Sequence, residues 1–177
     1  MSAPPIKILT CGPSKGGKSG VASFLSGSKT TMNYSPGPTV GVRIFSFERN
    51  NTNIELWDVS GDQSYETSWP AVTKDADGGL LIFNADIGGQ AKEAELWIGW
   101  IKPVVCACVG FTSVDGALST PSSNNPSGLT LPSLPGPGTP GAGAFSGPVE
   151  LLSVTEGGDS MRRVFDKLIS RIAKRRG

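Results

Sequence analysis

Histidine is missing altogether from this chain of 177 residues, so a zinc centre built on imidazole and a Ser-His-Asp triad both lack their usual ligand or base. Cysteine is scarce. Cys11, Cys106 and Cys108 are the only three, an odd number set in apolar runs, which speaks against a disulfide framework and for a reducing compartment, the cytosol by expectation. No uninterrupted apolar stretch approaches the roughly 20 residues that span a bilayer, and the N-terminus has no apolar signal core. Lipid handles are lacking too. Position 2 is Ser2 rather than Gly and the chain ends Lys174-Arg175-Arg176-Gly177 without a terminal Cys, so no direct lipid anchor is expected. A formal net charge of +1 gives no global reason to expect nucleic acid. The charge is lopsided, however: from Met161 onward seven basic residues stand against Asp166 alone. Roughly an acidic body carries a basic tail.

The length suits a single domain over residues 1–177. Ile6, Ile8 and Leu9 read as a first strand running into a glycine-rich loop, and Val21, Phe24 and Leu25 recur at helical spacing behind it. Residues 42–47 and 54–59 alternate apolar and polar around Asn50-Asn51-Thr52-Asn53, the pattern of an antiparallel hairpin. Residues 80–83 form a short buried strand, followed by a helix carrying Ala94, Trp97, Ile98 and Ile101 on one side with Lys92, Glu93 and Glu95 near its start, and then by a strand over 104–109. Between Asp115 and Glu150 there is no charged residue, and seven of the fourteen prolines fall there. Residues 116–148 therefore read as a disordered Pro/Gly/Ser-rich insertion, a tolerated surface loop rather than a proline-motif ligand. A last strand over 149–152 leads to a helix from about Ser160, capped by Asp159, with Met161, Val164, Phe165, Leu168, Ile169, Ile172 and Ala173 on one face. Six strands alternating with helices predict an α/β fold. Its sheet is mostly parallel with one antiparallel edge strand, and helices cover both faces. Ligands in such sheets sit at the carboxyl ends of the strands.

Gly12-Pro13-Ser14-Lys15-Gly16-Gly17-Lys18-Ser19 fits the phosphate-loop pattern in full, between a strand and a helix. Backbone N–H groups from Gly12, Ser14, Lys15, Gly16, Gly17 and Gly20 would close around a phosphate. Lys18 would reach the β- and γ-phosphates, and Ser19 would ligate Mg²⁺. Asp58-Val59-Ser60-Gly61 ends a strand in Asp-x-x-Gly, where a metal-side carboxylate and a γ-phosphate-sensing N–H belong. Thr39, between the first helix and the hairpin, can complete the metal and phosphate shell through its hydroxyl and carbonyl. A purine nucleoside triphosphate is the implied ligand.

These elements resemble the Ras superfamily of small GTPases over most of the chain outside residues 116–148. Tyr34-Ser35-Pro36, Gly41-Val42-Arg43-Ile44, Glu55-Leu56-Trp57-Asp58, Gly61-Asp62, Glu66-x-x-Trp69-Pro70-Ala71, Lys74-Asp75-Ala76 and Phe83-Asn84-Ala85-Asp86 look like the Rab-like small GTPases of the intraflagellar-transport B complex. That resemblance implies a Ras-like phosphate-loop NTPase fold, GTP or GDP with Mg²⁺, and docking on coiled-coil subunits of the transport core. It implies the cytoplasm and the cilium or flagellum, including the basal body, as the place of work.

The chain departs from the small-GTPase pattern in two places. Asp62 stands where a water-positioning Gln is usual, and Gln63 is one position late, so intrinsic hydrolysis is expected to be slow or absent. The Asn-Lys-x-Asp guanine motif is replaced by Phe111-Thr112-Ser113-Val114-Asp115. Thr112 and Asp115 remain candidate base contacts, Asp115 equally a helix or loop cap, and Ser153-Val154-Thr155 stands for the second base loop. Tyr65 and Trp69 read as partner contacts, Phe45 and Phe47 as core. The basic tail reads as a solvated complement to the last helix dipole, or otherwise as a contact for an acidic partner or lipid surface. The preferred function is a GTP-binding adaptor. Its rivals are a turnover GTPase, a phosphate-loop kinase, which lacks an arginine-bearing lid, and a nucleotide-free scaffold, which the Lys18-Ser19 pair argues against.

Overall fold

The computed structural model describes residues 4–32, 37–100, 105–112, 149–155 and 157–177. The insertion read over 116–148, Asp115, Tyr34-Ser35-Pro36 and Ile101 lie outside the described residues. Two asparagines set the first corner of the sheet. Asn50 and Asn51 both take left-handed backbone angles, φ 51° and 56°, the geometry whose twist suits a two-residue hairpin turn. They join β2 (Val42–Arg49) to β3 (Thr52–Val59) as an antiparallel pair, with Arg49 opposite Thr52 and Val42 opposite Val59. The hairpin expected from the alternation is present, with a turn two residues long rather than four.

β1 (Ile6–Cys11) lies parallel to β3 on one side and to β4 (Gly78–Asn84) on the other. Further parallel strands β5 (Val105–Thr112) and β6 (Val149–Ser153) complete a six-stranded sheet in the order β2-β3-β1-β4-β5-β6. β2 is the antiparallel edge, as the patterning predicts. β5 runs three residues past its expected end, to Thr112.

Period-two alternation sorts the sheet's side chains between two cores. Ile6, Ile8, Leu80, Ile82, Val109 and Phe111 face α1 (Lys18–Leu25) and α4 (Gly158–Arg176), whereas Leu9, Leu81, Phe83, Cys106 and Cys108 face α2 (Trp69–Thr73) and α3 (Gln90–Trp100). Met161, Phe165 and Leu168 of α4 are at most 1% exposed, each contributing about 1.5–3 kcal/mol by leaving water. All three thiols are buried and none is in a disulfide. Burial pushes Cys106 up to about 11 and Cys108 up to about 12, and raises Cys11 well above the usual thiol range, so none is poised as a nucleophile.

Two sequence expectations need correction. Asp159 is not the cap of α4, because the helix starts one residue before it with Gly157 at the cap position and no side-chain bond there. Asp159 sits in the first turn and pairs with Arg162 at 3.1 Å. Trp69 is not a surface contact. It is 5% exposed, its ring 4.1 Å from that of Trp97 and 5.5 Å from that of Trp100, because the short α2 turns its first residue inward over α3. Tyr65, in the 3₁₀ segment Gln63–Ser68, is half-buried. Phe45 and Phe47 pack against the core shared with α1 and α4, as expected.

The hairpin tip is tied to α4. Arg49 grips Asp166 with both Nε and Nη2, the latter at 2.9 Å, and Asn50 Nδ2 donates to the same carboxylate at 3.0 Å. The Arg49 hydrogen bond holds the Asp166 carboxyl below the usual carboxylate range. The pair is partly solvated, so Asp166→Asn is expected to cost about 0.5–1 kcal/mol in urea unfolding. A depressed carboxyl stabilises the fold above the ordinary carboxylate pKa and loses that contribution as pH falls through the lowered value. The wild-type advantage over Asp166→Asn should thus be full at neutral pH and vanish in strong acid. Trp69→Ala should cost about 3–5 kcal/mol by the same measurement, the range for emptying a buried aromatic site. A change under 1 kcal/mol would return Trp69 to the surface.

Candidate functional site

At the carboxyl end of β1 the chain turns at Gly12 with φ 134°. A Cβ there would lie 2.0 Å from the Ile82 carbonyl oxygen of β4, so only glycine passes. Gly17, at φ 96°, is the cap residue of α1 and offers no side chain to the first amides of that helix. Those donors open on a cleft of about 740 Å³, within the range of small-ligand sites. Residues 14–19 form one wall. Lys18 is 6% exposed, and its Nζ donates to the Pro13 carbonyl at 2.6 Å. Burial lowers its pKa, and the charge of Asp58 opposes that shift.

Three residues remote in sequence meet beside Lys18. Ser19 Oγ donates to Asp58 Oδ2 at 2.7 Å and lies 2.8 Å from Thr39 Oγ1, which in turn donates to Asp58 Oδ2 at 3.2 Å. Asp58 is fully buried, and its Oδ1 has no hydrogen-bond partner among the described residues. One carboxylate with an unused oxygen and two hydroxyls is a hard-oxygen set suited to Mg²⁺, which keeps several waters and shares substrate phosphates rather than filling an all-protein cage. The set fits the metal, and no cluster of three or more His, Cys, Asp or Glu side chains offers a rival site among the described residues.

Gly61 closes the opposite wall. A Cβ on it would fall 2.5 Å from the Gly12 carbonyl oxygen and 2.6 Å from both Lys18 Nζ and Ser14 N, so its backbone lies directly against the phosphate loop. Asp62 lines the cleft as well, but its carboxylate accepts from Ser64 N at 2.9 Å and caps the 3₁₀ segment. That bond lowers its pKa. Gln63 is exposed and is not among the cleft walls.

The far end of the cleft is apolar, formed by Met32, Phe111 and Val154, with the Phe111 ring 3.5 Å from where a Cβ of Gly17 would lie. Of the four residues expected at the base, Val154 lines the cleft and Asp115 lies outside the described residues. Thr112 and Ser153 are not among the walls: Thr112 Oγ1 donates to Asp86 at 2.8 Å, and Ser153 is 1% exposed with its hydroxyl 3.0 Å from that of Thr155. Thr112 is the last residue of β5, and its hydroxyl is tied to Asp86, two residues past the end of β4.

Sequence reading missed Gln90. It is 7% exposed at the start of α3, accepts from Asn84 N at 2.8 Å and donates to the Ser14 carbonyl at 2.7 Å. A lone glutamine opening a helix carries no signature of a contact 76 residues away.

Burial of Asp58 raises its pKa, with the Ser19 and Thr39 hydrogen bonds and Lys18 opposing. A carboxyl raised on folding contributes stability below its ordinary pKa and loses it as pH climbs through the raised value. In the nucleotide-free chain without divalent cation, Asp58→Asn is therefore expected to melt at or above the wild-type temperature at neutral pH, the gap closing in acid. A variant that melts well below wild type at neutral pH would show that the ionised carboxylate is already compensated.

No family model matches the chain. It is similar to curated proteins named intraflagellar transport protein 22 homolog: 46% identical to that of Homo sapiens over 100 residues, which is 51% of this chain and 53% of the relative. The Danio rerio homolog is 41% identical over 101 residues, 52% of this chain and 54% of the relative. Intraflagellar transport protein 22 of Trypanosoma brucei brucei is 34% identical over 112 residues, 55% of this chain and 51% of the relative. The chain thus spans about half the length of the curated relatives it matches. Among solved structures, the GTP-bound crystal structure of T. brucei IFT22/74/81 has a TM-score of 0.66 at 25% identity over 98% of each chain. The GDP-bound T. brucei IFT22 structure has a TM-score of 0.64 at 26% identity, over 99% of this chain and 100% of that one. In sequence over about half its length, and in fold over nearly all of it, the chain is thus similar to proteins named intraflagellar transport protein 22.

Proposed function

We propose that the chain binds GTP and GDP and serves as a Rab-like adaptor subunit of the intraflagellar transport B complex, with weak or absent intrinsic hydrolysis. The observation that carries this reading is the meeting of Ser19, Thr39 and Asp58 within 3.2 Å of one another beside the buried Lys18. Ser19, Thr39 and Asp58 would hold Mg²⁺, which when bound offsets the charge of the β- and γ-phosphates. The backbone of residues 12–17, with Gly20, would wrap the phosphates, Lys18 would donate to them, and Gly61 N–H would meet the terminal one. Guanine preference rests on the GTP- and GDP-bound relatives. Phe111 and Val154 offer an apolar seat for a purine. Asp115 remains the candidate carboxylate for it, and Thr112 and Ser153 would support that end from behind the wall.

Slow hydrolysis follows from Asp62. Its carboxylate is engaged in capping the 3₁₀ segment and would repel a γ-phosphate, and exposed Gln63 is not aimed at the cleft. The names of the relatives, one of which was solved as IFT22/74/81, support a ciliary or flagellar setting and partner subunits, and coiled-coil subunits are the partners proposed. Tyr65, half-buried beside the cleft, is the candidate contact of this chain.

Equilibrium binding of labelled GTP, GDP and ATP, with Mg²⁺ and with chelator, tests the nucleotide reading. GTP and GDP should outbind ATP, and Lys18→Ala should weaken both by about tenfold to a hundredfold, the range for losing a charge-assisted bond. Equal ATP affinity removes the guanine preference, and no binding to any nucleotide leaves a bare scaffold. In single-turnover assays hydrolysis should run below the order of 10⁻⁴ s⁻¹ of an unassisted Ras-type domain, and Asp62→Gln should accelerate it. A wild-type rate at or above that order would restore the turnover GTPase.

A further inference from the structure

Gln90 lies behind the phosphate loop, not among the walls of the cleft. Its partners fix the orientation of its amide without ambiguity, since Asn84 N can only donate and the Ser14 carbonyl can only accept. The Ser14 carbonyl is thereby pulled toward α3. Across a trans peptide the carbonyl and the following N–H point to opposite sides, so the Lys15 N–H is turned away from Gln90, to the side where Ser14 and Lys15 face the cleft. Lys15 also stands at φ 61°, a left-handed conformation that is unfavourable for a residue with a Cβ and persists only where its surroundings hold it. Gln90 is one such hold. Its other bond anchors the amide to the last residue of β4, so the brace is referred to the centre of the sheet rather than to another loop.

We propose that Gln90 is a positioning residue for nucleotide binding: its side-chain amide sets the Ser14–Lys15 peptide so that the Lys15 N–H is presented to a phosphate oxygen. This rests on the nucleotide reading above. Gln90 touches no substrate in this role and acts only through the loop.

Two substitutions separate positioning from packing. Gln90→Met keeps length and burial but neither hydrogen bond, whereas Gln90→Glu keeps the acceptor for Asn84 N–H and loses the donor to Ser14. Both are expected to weaken GDP and GTP by about tenfold, the scale seen when a residue that orients a ligand-bearing group is removed. Both should also shift the ³¹P resonance of the bound β-phosphate and move the Lys15 amide resonance in the nucleotide-free chain. Affinities within twofold of wild type, with the ³¹P signal unmoved, would overturn the proposal. So would a lowered melting temperature in Gln90→Met alone, with Gln90→Glu binding normally, because that pattern belongs to packing. If the wild-type chain binds no nucleotide, the function proposed above fails instead. The Lys15 resonance then still decides, and its constancy in both variants would dismiss the brace.

Discussion

Where β1 ends, the chain passes so near β4 that a Cβ on Gly12 would stand 2.0 Å from the Ile82 carbonyl. That close approach fixes everything downstream of it. It brings the loop over the centre of the sheet, starts α1 at Lys18, and points the helix amides to the same end of the sheet at which β3 delivers Asp58. Parallel pairing of β1 with β3 puts Thr10 beside Asp58, so the carboxylate arrives beside Ser19 through strand register alone. Any residue larger than glycine at position 12 would have to push the loop off β4, and the hydroxyls and the carboxylate would no longer share a point.

The site is held by charges the fold would otherwise avoid. Lys18 and Asp58 are both buried, and burial drives each toward its neutral form while each opposes that drive in the other. Such a pair adds little to stability by itself. Its unused valences, above all Asp58 Oδ1, are what a phosphate-bound cation would complete. Asp62, by contrast, is engaged in capping its own chain.

Much of this was readable from residues in order. Apolar alternation in 42–47 and 54–59 located the hairpin, and the glycine loop with Asp58 and Thr39 located the site, because these patterns are local or ordered along the chain. The failures share a cause. Trp69 looked like a surface aromatic because a five-residue helix is too short to show a periodic face. Asp159 matched a cap, but Gly157 starts α4 earlier through backbone bonds alone, with Met161 N donating to its carbonyl. Thr112 was misplaced because the end of β5 could not be judged without its neighbour β4. Gln90 was invisible, since its two bonds depend on how α3 sits against the phosphate loop, and no local spacing encodes that.

Three of the four tryptophans, Trp69, Trp97 and Trp100, are in ring contact with one another through Trp69, while Trp57, packed against the same core, lies beneath the ammonium of Lys7. Rings in such contact exchange excitation, so ultraviolet emission from the folded chain is weighted to a single spot. That spot directly follows the 3₁₀ segment Gln63–Ser68, which begins two residues after the Gly61 that lies against the phosphate loop. The chain thus carries its own optical gauge of how α2 rides on α3, readable without a label.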